Sequence, residues 1–469
     1  MHRFVFRHFL VFICRLAVAA AIFLVAPSDA NLYAQQWITG YYSAQNGVLP
    51  VSSIPWNEYT HIIHFAASTP GDGTVSMYYL TQAEINALTA SRPAGKQVLL
   101  CIKDNDNNYS AFPQSTTASN IAKFVSNIVG FVTGNGYDGV DIDWEKNVNA
   151  SQFEDLLARL RALMPQKVIT IAVNPGLKMV AAGSQAQLDQ INVMCYDLDW
   201  GLRYSWYLDP LLQNGNPNAL TCDWDVGQFT SAGVAPGKIG VGIPFYGRRW
   251  PRATQALQNS NFKNAITFAY RDLVTDATRW KPQFQFYDKV YKANYLSIDI
   301  PGHKEFDSYT GPEFISDAVL WQKSKGFAGF MTFTVEYEYL ASEVGDAAFP
   351  LSTALNHAVF GTPASAAFSS SSVTFGTQQV GTSSAVQAVT LRNTGMAPLS
   401  NVSIFITGTN SSDFAQETNS CPGALAVNAS CQIKVKFSPS ALGTRTASIA
   451  FKNNADNSHQ AIAGERKLL

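Results

Sequence analysis

Charge is scarce in this 469-residue chain: Asp, Glu, Lys and Arg make up 14% of it. No sign dominates, with 33 basic against 34 acidic side chains and a formal net charge of −1. Phosphate binding needs an excess of basic residues on one face, so nothing electrostatic points to a nucleic-acid partner. No C-x-x-C or H-E-x-x-H pattern occurs, which argues against a structural zinc or a metalloprotease site. No Gly-rich phosphate loop follows the first strand-like run, which disfavours a doubly wound dinucleotide fold. After the first 30 residues no run is long and apolar enough for a membrane helix. What is abundant is apolar and aromatic material, 46% hydrophobic and 12% aromatic with nine Trp, enough for a large core and no case for disorder.

The first segment reads as an export signal. Arg3, Arg7 and Arg15 precede the apolar run Leu16 to Ala26, and small residues follow with cleavage after Ala30 or Ala34. Residues 1–34 are therefore expected to leave, giving a secreted chain with no membrane span. Of six Cys, Cys14 departs with the signal. Cys101 and Cys195 sit in apolar runs and read as buried free thiols, and Cys222 as a loop residue without a partner. Cys421 and Cys431, with nine residues between them, are the best disulfide candidates in an oxidising compartment.

Short β-rich runs alternate with helical patterns from residue 35 to 360. The runs are Trp37–Tyr42, His61–Ala67, Gln97–Ile102, Gly139–Trp144, Val168–Val173, Ile191–Tyr196, Ile239–Pro244 and Gly329–Phe333. Ile121, Phe124, Val125, Ile128, Val129 and Val132 repeat at helical spacing and stop at Gly134-Asn135-Gly136. Ser151 and Glu154 read as a capping box opening the next helix. Eight strands with helical crossovers in about 325 residues predict an α/β fold, a (β/α)8 TIM barrel. The gap of about 90 residues between the seventh and eighth runs is too long for one helix and two loops. Residues 248–310 are thus expected to form a small α+β insertion. A Pro/Ala/Ser-rich linker at 361–372 leads to Ser/Thr/Val-rich alternating runs over 373–469, read as an all-β immunoglobulin-like sandwich.

The sharpest chemical feature is Asp138-Gly139-Val140-Asp141-Ile142-Asp143-Trp144-Glu145. Side chains alternate faces along a strand, so Asp141, Asp143 and Glu145 project together while Val140, Ile142 and Trp144 face the opposite way. Stacked like charges repel, so at least one carboxyl must hold a proton or be tightly hydrogen-bonded. A carboxyl that stays protonated near neutrality is what a general acid requires.

This motif resembles the signature of glycoside hydrolase family 18, the chitinases and endo-β-N-acetylglucosaminidases. Met194-Cys195-Tyr196-Asp197 and Gly240-Val241-Gly242-Ile243-Pro244-Phe245-Tyr246-Gly247-Arg248 resemble the family's sixth- and seventh-strand patterns. The resemblance implies substrate-assisted retaining catalysis, the exception to the two-carboxylate retaining scheme. Glu145 would protonate the glycosidic oxygen. Asp143 would hold the 2-acetamido group whose carbonyl oxygen attacks the anomeric carbon. Tyr196 would hydrogen-bond that group, and Asp141 would share charge or a proton with Asp143. Tyr41, Met194, Asp197, Tyr246, Arg248 and Phe333 are expected at the substrate. The implied substrates are chitin or N-acetylglucosamine oligosaccharides, with no cofactor and no metal. An endo-β-N-acetylglucosaminidase acting on N-glycans is the alternative, and a non-catalytic chitin-binding lectin a third.

Three departures stand out. Cys101-Ile102-Lys103-Asp104 replaces the family's S-x-G-G, Phe333 stands where a Trp is usual, and Glu336 and Glu338 stand where Asp is common. Trp200, Trp206, Trp224 and Trp250 lie in loops, where they either stack on sugar rings or pin the loops. His64 reads as a hydrogen-bonded core residue. The C-terminal region resembles the Hydin-type, abnormal-spindle-like immunoglobulin fold, through Val373-Thr374-Phe375-Gly376 and Leu391-Arg392-Asn393-Thr394-Gly395. Its partner would be a polysaccharide or cell surface, although the lack of Trp in it favours a plain spacer. Ala461-Ile462-Ala463-Gly464-Glu465-Arg466 replaces the usual last strand, so an incomplete sheet edge is expected there.

Overall fold

The computed structural model describes residues 36–465, except 45–46, 362–363, 371, 396–397, 401, 422, 427, 454 and 456–460. The segment read as an export signal lies outside the described residues.

Eight parallel strands close into a barrel. Seven come first in the chain: β1 (Trp37–Tyr42), β2 (His61–Ser68), β3 (Gln97–Lys103), β4 (Gly139–Asp143), β5 (Val168–Val173), β6 (Gln190–Val193) and β7 (Ile239–Pro244). The insertion then supplies β8 (Tyr246–Pro251), β9 (Ile266–Ala269), β10 (Gln285–Asp288), β11 (Ala293–Ile300) and β12 (His303–Tyr309), paired in the order β10-β11-β12-β8-β9. It opens at Tyr246, directly after β7 and slightly ahead of the expected boundary. The last barrel strand, β13 (Gly329–Phe333), lies between β1 and β7.

Helices cover the outside of the barrel and share one apolar layer with it. Val140, Ile142 and Trp144 are fully buried in that layer, where Trp144 stacks on Phe112 at 5.0 Å. The alternation of the motif therefore separates its faces as the strand geometry requires, apolar outward and acidic inward. A second, smaller cluster fills the barrel interior, with Tyr41, Ile63, Leu99, Cys101, Ala172 and Met331. Gly139 opens β4 because no side chain fits there: a Cβ would sit 2.0 Å from the Val168 carbonyl oxygen.

Two local expectations need correction. The helix Ala150–Leu163 is capped by Asn149, whose side chain accepts from the Gln152 backbone N–H, so Ser151 and Glu154 do not form its capping box. Asn is as good an N-cap as Ser, and its position two residues earlier lets its side chain take the N–H of the third helical residue, Gln152. Cys195 and Cys222 are not free: they form a disulfide, with Cα atoms 5.0 Å apart. The bond ties the segment just after β6 to the first turn of the helix Cys222–Ser231. Cys101 is a buried free thiol.

The C-terminal region forms two four-stranded sheets over a shared core of Val389, Leu391, Ile433, Val435, Phe437 and Phe451. Cys421 and Cys431 are bonded there. Ala366–Phe368, inside the segment read as a linker, pairs with 391–393 and belongs to the first sheet. Ala461–Glu465 pairs with both 447–450 and 372–374, so the second sheet does carry a strand at this position despite its unusual sequence.

Candidate active site

The register across β3, β4 and β5 sets Cys101 beside Asp141, Asp141 beside Thr170, and Lys103 beside Asp143. Asp141 is fully buried, with both carboxylate oxygens engaged: Tyr41 Oη donates at 2.6 Å and Thr170 Oγ1 at 2.5 Å. Burial pushes its proton affinity up, and the Thr170, Tyr41 and Cys101 hydrogen bonds oppose that.

Asp143, one step nearer the mouth, is 8% exposed, and its Oδ1 has no hydrogen-bond partner among the described residues. Burial, then the nearby Glu145, Asp141 and Asp104 carboxylates, hold it well above the ordinary carboxylate range, against a downward pull from Lys103. Glu145 stands just past the strand end, half-buried. Burial raises it, Asp104 and Asp197 add to the rise, and Lys146 and Lys103 oppose it. Two adjacent carboxyls that both resist ionisation share protons readily, which is the electrostatic setting of a general acid.

Asp143 and Glu145 line a pocket of about 250 Å³. The structure brings Tyr41, Met194, Tyr196, Asp197, Tyr246 and Phe333 to the same pocket, together with Phe65, Ala172 and Asn174, which the sequence did not single out. Ligand pockets usually start at roughly 300 Å³, so this one suits a single ring of a longer chain. Phe333 forms its aromatic floor, 5.6 Å from Tyr41, 5.4 Å from Phe65, 6.5 Å from Tyr196 and 6.5 Å from Tyr246 between ring centres. The peptides Phe65–Ala66 and Phe333–Thr334 are cis. The Tyr196 hydroxyl points at Met331 Sδ, 3.8 Å away, a weak contact that leaves its donor available.

Arg248 does not line this pocket. It is 6% exposed and held by Asp197 (2.5 Å), Asp199 (3.0 Å) and Thr267, with its guanidinium 5.0 Å from the Phe262 ring centre. It thereby fixes Asp197, whose backbone φ of 58° is left-handed. Glu336 and Glu338 are also away from the pocket: Glu336 accepts from the Ser43 backbone at 3.1 Å, and Glu338 from those of Leu351 and Ser352 at 2.5 and 3.1 Å. The expectation that Trp200, Trp206, Trp224 and Trp250 lie in loops needs correction for two of them: Trp250 is buried on strand β8 and Trp224 lies on the helix Cys222–Ser231, while Trp206 is a buried loop anchor and Trp200 is 70% exposed and packs on Phe262 at 4.7 Å. His64 is a core residue bonded to the Tyr137 hydroxyl at 2.8 Å.

The altered third-strand end contributes directly to this geometry. Asp104, 6% exposed, accepts the backbone N–H groups of both Glu145 and Lys146 at 2.8 Å through one oxygen, Oδ2. Lys103 pairs with Asp106 at 2.7 Å and lies over the rings of Phe65 and Tyr79.

Similarity to known proteins agrees with this geometry. Chitinase 1 of Aphanocladium album is 27% identical over 346 residues, covering 63% of this chain and 78% of that protein. Chitinase A1 of Niallia circulans is 27% identical over 262 residues, covering 46% of this chain and 37% of that one. Among solved structures, a Group IV chitinase of Ostrinia furnacalis superposes with a TM-score of 0.61 at 17% identity, over 70% of this chain and 99% of that one, a likeness of fold. Residues 362–461 match the abnormal spindle-like, ASPM-SPD-2-Hydin domain. Residues 37–338 match the glycosyl hydrolases family 18 over well more than half of the chain, and the chain belongs to that family.

Proposed function

We propose that this glycoside hydrolase is a chitinase that cleaves β-1,4-linked N-acetylglucosamine with retention. The observation that carries the reading is the pair Asp143 and Glu145 at one pocket, both raised by burial, with Asp143 Oδ1 lacking a partner among the described residues. Glu145, protonated, delivers its proton to the glycosidic oxygen as the bond to the leaving sugar breaks. The acetamido carbonyl oxygen of the same sugar attacks the anomeric carbon and forms an oxazolinium ion. Asp143 takes the acetamido N–H, Tyr196 donates to the acetamido oxygen, and Asp141 tempers the charge on Asp143. Water activated by the Glu145 carboxylate then opens the ring, restoring the β configuration. Because the nucleophile belongs to the substrate, an opposed second carboxylate is unnecessary, and only sugars with an N-acetyl group beside the scissile bond react.

Residues 1–34 act in this reading as the export signal, so the enzyme meets polysaccharide outside the cell. Among the described residues no helix is long and apolar enough to cross a membrane. The C-terminal sandwich serves as a spacer or a surface-association module. Mass spectrometry of products from chitohexaose and, separately, from a high-mannose glycopeptide tests the substrate. Short N-acetylglucosamine oligomers from the first alone support the chitinase. Glycan release from the second alone moves the function to N-glycan processing.

A further inference from the structure

We propose that Asp104 is a positioning residue for Glu145, gripping the backbone that carries the acid and setting the charge against which it holds its proton. The inference rests on Glu145 being the acid. Asp104 follows β3 and is tied to the end of β4 and the residues after it at three points: its own N–H donates to the Asp143 carbonyl at 3.1 Å, and its Oδ2 accepts from Glu145 and Lys146, both at 2.8 Å. Glu145 lies beyond the last β4 residue, where the sheet no longer fixes the chain. The two N–H groups gathered by one carboxylate oxygen take over that task. A charged acceptor suits it, since hydrogen bonds to an ionised group are roughly twice as strong as neutral ones.

The remaining oxygen of Asp104, Oδ1, is buried with no partner among the described residues, and burial raises the proton affinity of Asp104 itself, which the N–H groups of Glu145 and Lys146 and the Lys146 and Lys103 charges oppose. Its charge acts on Glu145 at short range. The other groups facing Glu145 are Asp141 and Asp143 on β4, Lys103 at the end of β3, its neighbour Lys146, Tyr196 and Asp197 after β6, Tyr41 on β1 and Tyr246 on β8. Lys103 and Lys146 pull the acid toward ionisation, while Asp104 and Asp197 oppose them. Asp104 thus sits on the proton-retaining side of this balance while fixing where the acid stands.

The test compares Asp104→Ala and Asp104→Asn by kcat, KM and the pH profile of kcat on a chitooligosaccharide, with melting temperature as a control and Glu145→Gln alongside. Asp104→Ala is expected to lower kcat about tenfold or more with KM within about twofold, because the acid loses both its placement and the neighbouring charge while the substrate contacts remain. Asp104→Asn keeps an acceptor for the two N–H groups, so its rate recovers to within about threefold of the parent. Having lost the charge, it moves the alkaline limb of the profile to lower pH. If Asp104→Ala does not fold, the Asn variant alone carries the test through the limb. Parental kcat and limb in every variant that folds overturn the inference, and so does equal impairment of both variants with an unmoved limb. Retained activity in Glu145→Gln would instead remove the acid assignment on which the inference stands.

Discussion

The Tyr41 hydroxyl crosses the barrel interior from β1 to donate to Asp141 on β4 at 2.6 Å. With Thr170 on the other oxygen, Asp141 is anchored on both sides, and Asp143 above it is the carboxyl without such anchors. Tyr41→Phe removes one donor and should raise the proton affinity of Asp141. The proton shared by the acidic column would then move inward, and kcat should fall about tenfold with little change in KM. Steady-state kinetics checks this, and an unchanged kcat would dismiss Tyr41 as a partner in the charge balance.

Asp143→Ala should lose nearly all turnover and also its sensitivity to a thiazoline mimic of the oxazolinium ion. Inhibition titrations decide the point on whatever residual activity remains. A variant that binds the mimic as tightly as the parent would show that another residue holds the acetamido group.

Phe333 offers less stacking area than the Trp usual in the family, yet five aromatic rings surround it. Phe333→Ala should raise KM for chitooligosaccharides by about tenfold, the loss of roughly one ring-stacking interaction. A KM equal to the parent's would mean that the sugar does not rest on this ring.

Buried carboxyls give the fold a distinct pH dependence. Burial holds Glu338 up at about 8, and Glu336 and Asp209 at about 7, despite the hydrogen bonds that favour their ionised forms. A group whose folded pKa is raised contributes stability that is full below its unfolded pKa and is lost as pH rises through the folded value. His61 and His64, lowered by burial to about 4, act below about pH 6.5 and leave the range above it to the carboxyls. Melting temperature should therefore fall between about pH 6.5 and 8.5. Glu338→Gln should flatten that fall, and a parent curve that rises over the same range would contradict the assignment.

The Cys195–Cys222 bond, at a sequence separation of 27, closes a loop that contains Asp197 and Trp200. Its loss in Cys222→Ser should cost about 2–4 kcal/mol, measured by denaturant unfolding. No change in stability would mean that the two thiols are not bonded in the mature protein.

The barrel was legible because the chemistry repeats: eight apolar runs, each bounded by polar turns, leave few other folds. Val168–Val173, Ile239–Pro244 and Gly329–Phe333 coincide with observed strands, and the faces of Val140 to Glu145 follow from strand geometry alone. The acidic column was legible for the same reason. Partnerships across long sequence separations were not. Cys195 lies in an apolar strand end and Cys222 in a helix start, and only the folding of the loop between them brings the sulfurs together. Asp104 showed in the sequence only as part of the departure from the family's third-strand pattern; its bonds to the Glu145 and Lys146 backbone arise from neighbouring strands ending side by side. The Trp residues separated by tertiary context: Trp206 and Trp250 are buried in one cluster with Ala293 and Phe306 of the insertion, while Trp200 remains exposed.

The most direct test of the central claim replaces the carboxyl of Glu145 with an amide of the same shape, measuring turnover of chitohexaose and its binding by calorimetry on one preparation of Glu145→Gln. The account predicts that turnover is abolished while binding stays within a few-fold of the parent, because the pocket is intact and only the transferable proton is gone. A variant that binds and still turns over at most of the parental rate would contradict it.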